Sequence, residues 1–266
     1  MGIHSRAGFT IIETMLVLAI SGILVAGLLF GVGNSINAQR YRDSVTSFKS
    51  FLQEQYAKLD SVQNGRANTV ACSGSAQTSD GGVGAVPRGQ SDCVLLGRYI
   101  VINGNTLTTS TVLGSGTVPA DATDELAAIK SGYNLGIDKT SIANDTIEWG
   151  ARLSWPLDGS VPEAANATDA GRGLRLLLVR SPLSGTTFTF TVNGTTAPSV
   201  ISSTSMKSMM TSTTQTARVL CVAPNGFAVP ERLSVTIAGF ANGGSAIQSS
   251  SNQALRDEYG TEASRC

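Results

Sequence analysis

The chain has 266 residues, with 19 Lys and Arg against 19 Asp and Glu, so its formal net charge is zero. Charged residues make up only 14% of the sequence, against about a quarter in an ordinary globular protein. This balance excludes an overall basic field of the kind that attracts nucleic acid, and we predict no nucleic-acid partner. The length allows one large domain or two small ones.

The first predicted element is a membrane-spanning helix. Residues 9–33, FTIIETMLVLAISGILVAGLLFGVG, contain one charge, Glu13. At about 1.5 Å of rise per residue, this run crosses a hydrocarbon core of roughly 30 Å. A secretory signal places its small cleavage-site residue after a shorter apolar run, whereas here Gly8 comes before it. A plain uncleaved anchor is the simplest alternative, but it leaves Glu13 unexplained, because a carboxylate inside a bilayer is costly and usually functional.

The string from Gly8 to Glu13, GFTIIE, resembles the signal of type IV prepilins and pseudopilins. The resemblance implies that a prepilin peptidase cuts between Gly8 and Phe9, removes residues 1–8 as a leader and N-methylates the new Phe9 terminus. It also implies that Glu13 pairs with the Phe9 amine of an adjacent subunit and sets register during assembly. An ammonium and a carboxylate can neutralise each other at low dielectric. The similarity extends through Met15, Val17, Ala19, Gly22 and Ile23.

One departure from the family pattern bears on the type of subunit, and the flanking charges bear on topology. Major pilins often have a proline near the end of the apolar span, where this chain has Phe30, and the first proline is Pro87. Its absence favours a minor pilin or a pseudopilin.

Arg6 is expected to stay on the cytoplasmic side, which places the C-terminal domain outside the inner membrane. Since Arg40 and Arg42 follow the span, this topology depends on the prepilin signal more than on charge.

The helical pattern continues through residues 34–64 as an amphipathic segment, so one helix is predicted over 9–64. Asn64-Gly65 is a suitable end signal. The apolar stripe needs a partner, for which a β-sheet of the same chain is the simplest choice and a coiled coil the alternative. Spacings of three and four residues place on one helical face Tyr41, Val45, Phe48, Leu52, Tyr56, Leu59 and Val62.

Residues 65–266 are predicted to form a β-rich domain. The linker Ser-Pro-Leu-Ser-Gly at 181–185 predicts a hairpin between its flanking runs, and 123–131 predicts a short helix. A long helix packed on an antiparallel sheet is an α+β fold, which is also the shape that the family resemblance implies. Runs enriched in Val, Ile, Thr and Phe predict strands at 93–102, 105–113, 145–155, 173–180, 186–193, 217–223 and 232–240.

The four cysteines contain no CxxC pair, which argues against a zinc site or a thioredoxin-like motif. Two disulfides are the expectation for an exported domain, and four reduced thiols are the alternative for a cytosolic protein. Neighbours in sequence favour Cys72–Cys93 and Cys221–Cys266, one of three possible connectivities. The first bridge would close a Gly- and Ser-rich loop at 66–92, and the second would enclose 222–265, which resembles the disulfide-bounded C-terminal region of many pilins.

Two polar segments are candidates for contacts with other molecules. Residues 202–216, SSTSMKSMMTSTTQT, have low complexity and predict a flexible surface loop, with an adhesive or subunit-contact loop as the alternative. Asp158, Glu163 and Asp169 lie close together in sequence, but their spacing does not match an EF-hand. We therefore expect solvated carboxylates there and no metal, with a calcium site as the alternative.

The sequence predicts no catalytic site and no cofactor. His4 is the only histidine and lies in the predicted leader, so the processed chain would have none for a triad or a metal site. Neither a P-loop nor a GxSxG motif occurs. A membrane-tethered enzyme is therefore disfavoured. A tip adhesin or DNA receptor is disfavoured as well, since no basic-aromatic cluster is visible.

These observations predict a structural subunit, a minor pilin of a type IV pilus. The alternative is a pseudopilin of a type II secretion or DNA-uptake system. The expected partners are prepilin peptidase, other pilin or pseudopilin subunits through the N-terminal helix, the inner-membrane assembly machinery, and membrane lipid before assembly.

Overall fold

The computed structural model describes residues 10–61, 70–80, 93–122, 124–154, 173–224, 229, 231–251 and 253–254. Within them the fold is α+β, with a long N-terminal helix and antiparallel sheets, as predicted. The helices are α1 (Ile11–Asp60), α2 (Glu125–Gly132) and α3 (Ser203–Met209). The strands are β1 (Val70–Cys72), β2 (Thr78–Asp80), β3 (Cys93–Asn103), β4 (Thr106–Gly116), β5 (Tyr133–Thr146), β6 (Arg152–Ser154), β7 (Leu174–Arg180), β8 (Thr187–Asn193), β9 (Arg218–Ala223), β10 (Leu233–Ile237) and β11 (Ile247–Ser251).

Helix α1 is continuous over 50 residues, about 75 Å at 1.5 Å per residue. Its sequence contains no proline, and its ends are capped. The Thr10 hydroxyl accepts a hydrogen bond from the Glu13 backbone N–H at 3.3 Å, and the Ser61 N–H donates to the Ala57 carbonyl at 3.0 Å. Glu13 in the first turn and Lys58 in the last turn also suit the helix dipole.

A five-stranded sheet, in the order β5-β4-β3-β7-β8, forms the centre of the globular part. All of its neighbouring strands are antiparallel. The predicted hairpin between β7 and β8 is confirmed, with Leu174 opposite Asn193 and Arg180 opposite Thr187. Strands β3 and β4 meet at a tight turn where Gly104 has a φ of 58°, a left-handed conformation that glycine adopts without steric cost.

A four-stranded antiparallel sheet, in the order β11-β10-β9-β6, packs against α1 and contributes Leu220 and Val235 to the core beside that helix. A separate two-stranded ribbon of β1 and β2 lies in the segment that we predicted to be a loop. The predicted Cys72–Cys93 disulfide is present and joins β1 to the first residue of β3.

The five-stranded sheet is covered on both faces, so the domain has two hydrophobic cores. Strand β7 contributes to both, because its side chains alternate between the faces. The helix-side core includes Phe48, Leu52, Ile100, Ile102, Leu174, Leu176, Leu178, Leu220 and Val235. The outer core, under α2 and α3, includes Tyr99, Val101, Ile129, Leu135, Leu177, Val179, Phe190, Met206 and Met209.

The buried face of the second half of α1 packs against both sheets and makes polar contacts to both. The Tyr41 hydroxyl accepts from the Leu233 N–H at 2.7 Å and lies 2.7 Å from the Val222 carbonyl, to which it donates. Further along the same face, the Tyr56 hydroxyl lies 2.7 Å from the Thr189 hydroxyl in β8. The predicted stripe is thus buried from Tyr41 to Leu59 against sheets of the same chain, and Val62 lies outside the described residues. For these residues the coiled-coil alternative is wrong.

The sequence missed β5 and misassigned the segment that follows it. Strand β5 contains Asp138, Lys139, Asn144 and Asp145, residue types that are depleted in strands. It is an edge strand with a bulge, where the Ser141 hydroxyl accepts the Thr111 N–H at 2.8 Å in place of a ladder bond. The predicted strand 145–155 is wrong, because β5 and β6 belong to different sheets and a 3-10 turn at Glu148–Gly150 separates them.

Residues 202–216 do not form the flexible surface loop that their composition predicts. They contain α3, which Ser202 caps, and a 3-10 turn at Ser212–Thr214. Met206, Met209 and Met210 are buried and contribute to the outer core. The apolar positions are few but helically spaced, and the surrounding serines and threonines obscure them. The short helix predicted at 123–131 is confirmed as α2.

Removing the Cys72–Cys93 bridge by the double substitution Cys72→Ser and Cys93→Ser should lower the free energy of unfolding. The bridge spans a sequence separation of 21 residues, and by the chain-entropy model a loop of this size contributes about 3 kcal/mol. Urea denaturation of the detergent-solubilised full-length protein measures the difference. A Ser75→Ala variant in the same segment is the control, and an unchanged midpoint in the double variant would contradict the prediction.

Stability should fall at alkaline pH because two buried tyrosines resist ionisation. Burial raises the pKa of Tyr56 to about 12, partly opposed by its bond to Thr189. Burial also raises the pKa of Tyr99 to about 12, with Arg175 opposing. Since unfolded phenols ionise near pH 10, the folded state holds more protons between about pH 10 and 12, and each tyrosine should cost roughly 2 kcal/mol of stability across that window. Denaturation at several pH values should show a smaller decline for Tyr56→Phe than for the natural chain; equal declines would contradict the assignment.

Candidate functional site: the exposed half of the N-terminal helix

The first half of α1 has no partner within the described chain. Residues 10–36 are all exposed, and none of the most apolar 18-residue window is buried. This is the one described helix that is long and apolar enough to cross a membrane. The exposed side chains include Ile12, Met15, Leu18, Ile23, Leu24, Leu28, Leu29, Phe30 and Ile36. So much contiguous apolar surface marks a membrane or protein contact, since soluble monomers rarely expose it.

Glu13 is the single charge on this surface. The next charged residue in sequence is Arg40, about 40 Å further along the axis at 1.5 Å per residue. Glu13 forms no ion pair with any residue that the structure describes. Gly8 and Phe9, the predicted cleavage residues, lie outside the described residues. Glu13 is one helical turn from the predicted new terminus at Phe9. Its carboxylate is available to pair with a group outside the described residues.

Four glycines in this half of α1 leave room for the backbone of another helix to approach closely. At Gly22, Gly27, Gly31 and Gly33, an added Cβ would meet no atom within 4 Å. Small residues on apolar helices let neighbouring backbones pack closely. In a membrane this packing drives helix association, because lipid tails are as apolar as the side chains and the hydrophobic effect does not favour helix contacts over lipid contacts. The exposed half thus has the composition of a helix that packs against other helices.

No sequence pattern predicts the contacts at the point where α1 enters the globular domain. The guanidinium carbon of Arg40 lies 4.9 Å from the ring centre of Trp149, a cation–π contact. Two turns further along α1, the Ser47 hydroxyl donates to the Glu148 carboxylate at 3.0 Å. Trp149 has a φ of 56° and a ψ of 21°. Arg40 and Trp149 are 109 positions apart in sequence, so only the tertiary fold brings them together.

No cofactor or metal site is apparent among the described residues. They contain no group of three or more His, Cys, Asp or Glu that could hold a metal ion. The predicted solvated carboxylates Asp158, Glu163 and Asp169 lie outside them. Cys221 is disulfide-bonded, but its predicted partner, Cys266, also lies outside the described residues.

One protein-family model matches the chain, and it covers the exposed half of the helix. The model for the prokaryotic N-terminal methylation motif matches residues 3–29, about a tenth of the chain. This motif is the type IV prepilin-type signal, so the similarity to prepilins and pseudopilins is confirmed for that segment. The signal implies processing by prepilin peptidase and assembly with other pilin-type subunits. Comparisons with curated proteins and with solved structures found no match.

Proposed function

We propose that this protein is a minor pilin, a non-catalytic structural subunit of a type IV pilus. Its first 33 residues hold it in the inner membrane with the β-rich domain outside. Prepilin peptidase removes residues 1–8, and the assembly machinery then draws the helix laterally into a helical bundle of other subunits. The observation that carries the proposal is a prepilin-type signal at 3–29 on a helix whose apolar half has no partner among the residues that the structure describes.

The helix geometry supports the two environments that such a subunit occupies. In the membrane, lipid covers the predicted span, residues 9–33; in a fibre, the equivalent helices of other subunits cover it. Lipid tails and helix side chains are similarly apolar, so transfer between the two costs little hydrophobic free energy, and packing at small residues and polar pairs decides the outcome. Gly22 and Gly27 allow another helix to pack closely, and Glu13 is the acidic member of the proposed polar pair with the Phe9 amine of another subunit.

A pseudopilin of a type II secretion or DNA-uptake system has the same signal and the same helix. We favour the minor pilin, and the absence of proline from residues 1–86 separates either from a typical major pilin. The location of the protein distinguishes a type IV pilus from a type II secretion or DNA-uptake system. Immunogold labelling of sheared surface fibres is expected to detect the β-rich domain if the subunit belongs to a pilus, whereas a short periplasmic pseudopilus would leave the sheared fraction unlabelled.

Intact-mass analysis of the membrane-extracted protein tests the proposal directly. After co-expression with a prepilin peptidase, the product should begin at Phe9 and carry the added mass of one methyl group. A known prepilin in the same cells serves as the positive control, and Gly8→Ala in this chain should block the cut. If the chain keeps residues 1–8 while the control is processed, the proposal is wrong and the helix is a plain anchor.

A further inference from the structure

We propose that the Arg40–Trp149 junction is a lipid contact that seats the membrane-facing end of the β-rich domain in the phospholipid headgroup layer before assembly. This inference rests on the proposed function in one respect: residues 9–33 must cross a membrane. The occupant is the headgroup layer of that same membrane. The contact would fix the height and tilt of the domain over the bilayer while the subunit waits for extraction.

The first argument is position along the helix. Ile36 is the last large apolar side chain of the exposed half, and Tyr41 is the first buried one. Arg40 lies about 6 Å beyond Ile36 and about 10 Å beyond Gly33, the last residue of the predicted span, along the axis. Long side chains on a helix point back toward its N-terminus, so its guanidinium is directed toward the span. The headgroup layer is roughly 5–8 Å thick on each side of the hydrocarbon core, which places Arg40 and the Trp149 ring at its level.

The second argument is the way in which the fold presents Trp149. The side chain is 51% exposed, although the domain has two cores that could bury it. Its φ of 56° is rare for a bulky side chain. The turn is held in place by the Ser47–Glu148 hydrogen bond and by the Ile147 N–H, which donates to the Asn105 carbonyl at 2.8 Å. A strained and exposed aromatic on a fixed turn indicates a contact outside the chain.

The third argument is chemistry. Tryptophan is enriched at membrane interfaces because its ring is apolar and its N–H is polar. Arginine beside a membrane span keeps its charge among headgroups while its stem covers apolar surface. Arg40 and Trp149 combine the two and adjoin the end of the apolar half of α1 directly. The junction is therefore continuous with the surface that the membrane already covers.

Phe240 provides a matched comparison. It is also exposed, at 68%, and also has a positive φ, 55°. Its segment lies at the other end of the domain, near Gly244, whose carbonyl accepts from the Gln53 side chain at 3.1 Å. Gln53 lies about 20 Å beyond Arg40 along α1, so a tryptophan at position 240 should not reach lipid.

The test is tryptophan quenching in the full-length protein, reconstituted into vesicles of phosphatidylethanolamine and phosphatidylglycerol. Separate vesicles contain acyl chains brominated close to the headgroup or close to the methyl end. The chain has two tryptophans, so Trp155→Phe leaves Trp149 as the reporter. Phe240→Trp and Ile20→Trp, each with both natural tryptophans replaced by Phe, report the far end of the domain and the centre of the span.

Trp149 emission should be blue-shifted and quenched more by the shallow bromines than by the deep ones. Position 20 should show the reverse order, and position 240 should not be quenched. Quenching at position 20 without quenching at Trp149 would overturn the lipid contact and leave the membrane anchor intact. An unquenched but blue-shifted Trp149 would assign the junction to a protein neighbour and overturn the proposal. Absence of quenching at both Trp149 and position 20 would reject the anchor and the lipid contact together.

Discussion

Replacing Glu13 with glutamine should remove the subunit from assembled fibres while leaving it in the membrane. The substitution removes the single charge from residues 11–36, which makes insertion into lipid easier, because a buried carboxylate is costly. In the proposed fibre it also leaves the Phe9 ammonium of a neighbour without a partner. Breaking one half of a buried charge pair costs about 2–5 kcal/mol, so incorporation should fall by roughly 30-fold or more.

The measurement is the ratio of the protein in sheared fibres to that in the membrane fraction, with cleavage before Phe9 checked by mass. Thr14→Ala is the matched control, because Thr14 is exposed on the same turn and its hydroxyl donates only to the Ile11 carbonyl of its own helix. Glu13→Asp keeps the charge and should retain part of the incorporation. Normal incorporation of the glutamine variant would show that Glu13 has no part in assembly.

Leu177→Ala and Leu178→Ala should each lower the free energy of unfolding by about 2–5 kcal/mol. The two side chains are adjacent in β7 and point to opposite faces, and both are fully buried, at 0% exposure. Leu178 packs in the helix-side core and Leu177 in the outer core under α2 and α3. In a sheet with one face in solvent, one of the two substitutions would be nearly neutral.

Chemical denaturation of the full-length protein in detergent measures both variants. Leu183→Ala is the control, because Leu183 lies in the turn of the same hairpin and is 58% exposed; it should change stability by less than about 0.5 kcal/mol. A large effect at one of the two positions and none at the other would contradict the arrangement of a sheet covered on both faces.

The long helix and its two roles could be predicted because their signals are local. The run from Phe9 to Gly33 is apolar without interruption, and the stripe from Tyr41 to Leu59 repeats every three to four residues. Both patterns depend only on helical geometry and solvent. The β7–β8 hairpin was predictable for the same reason, since its turn residues lie between two runs of strand-forming residues.

Strand β5 and helix α3 could not be predicted because their signals are not local. The composition of β5 disfavours a strand, and pairing with β4 along one edge decides its conformation. In α3 and its C-cap, the methionines Met206, Met209 and Met210 lie among serines and threonines, and they become core residues only because a second face of the sheet is there to cover. Tertiary context outweighed local propensity at both places.

The prepilin-type signal, the apolar span with its single carboxylate, and the amphipathic helix that requires a partner could all be recognised from the sequence alone. These are properties of one contiguous segment, and periodicity and transfer free energy decide them. The tertiary fold was needed to pack both sheets against the buried face of the helix, to cover both faces of the central sheet, and to bring Arg40 over the Trp149 ring where the helix enters the domain. Those contacts join residues more than a hundred positions apart, and they form because apolar faces from distant strands must be buried together.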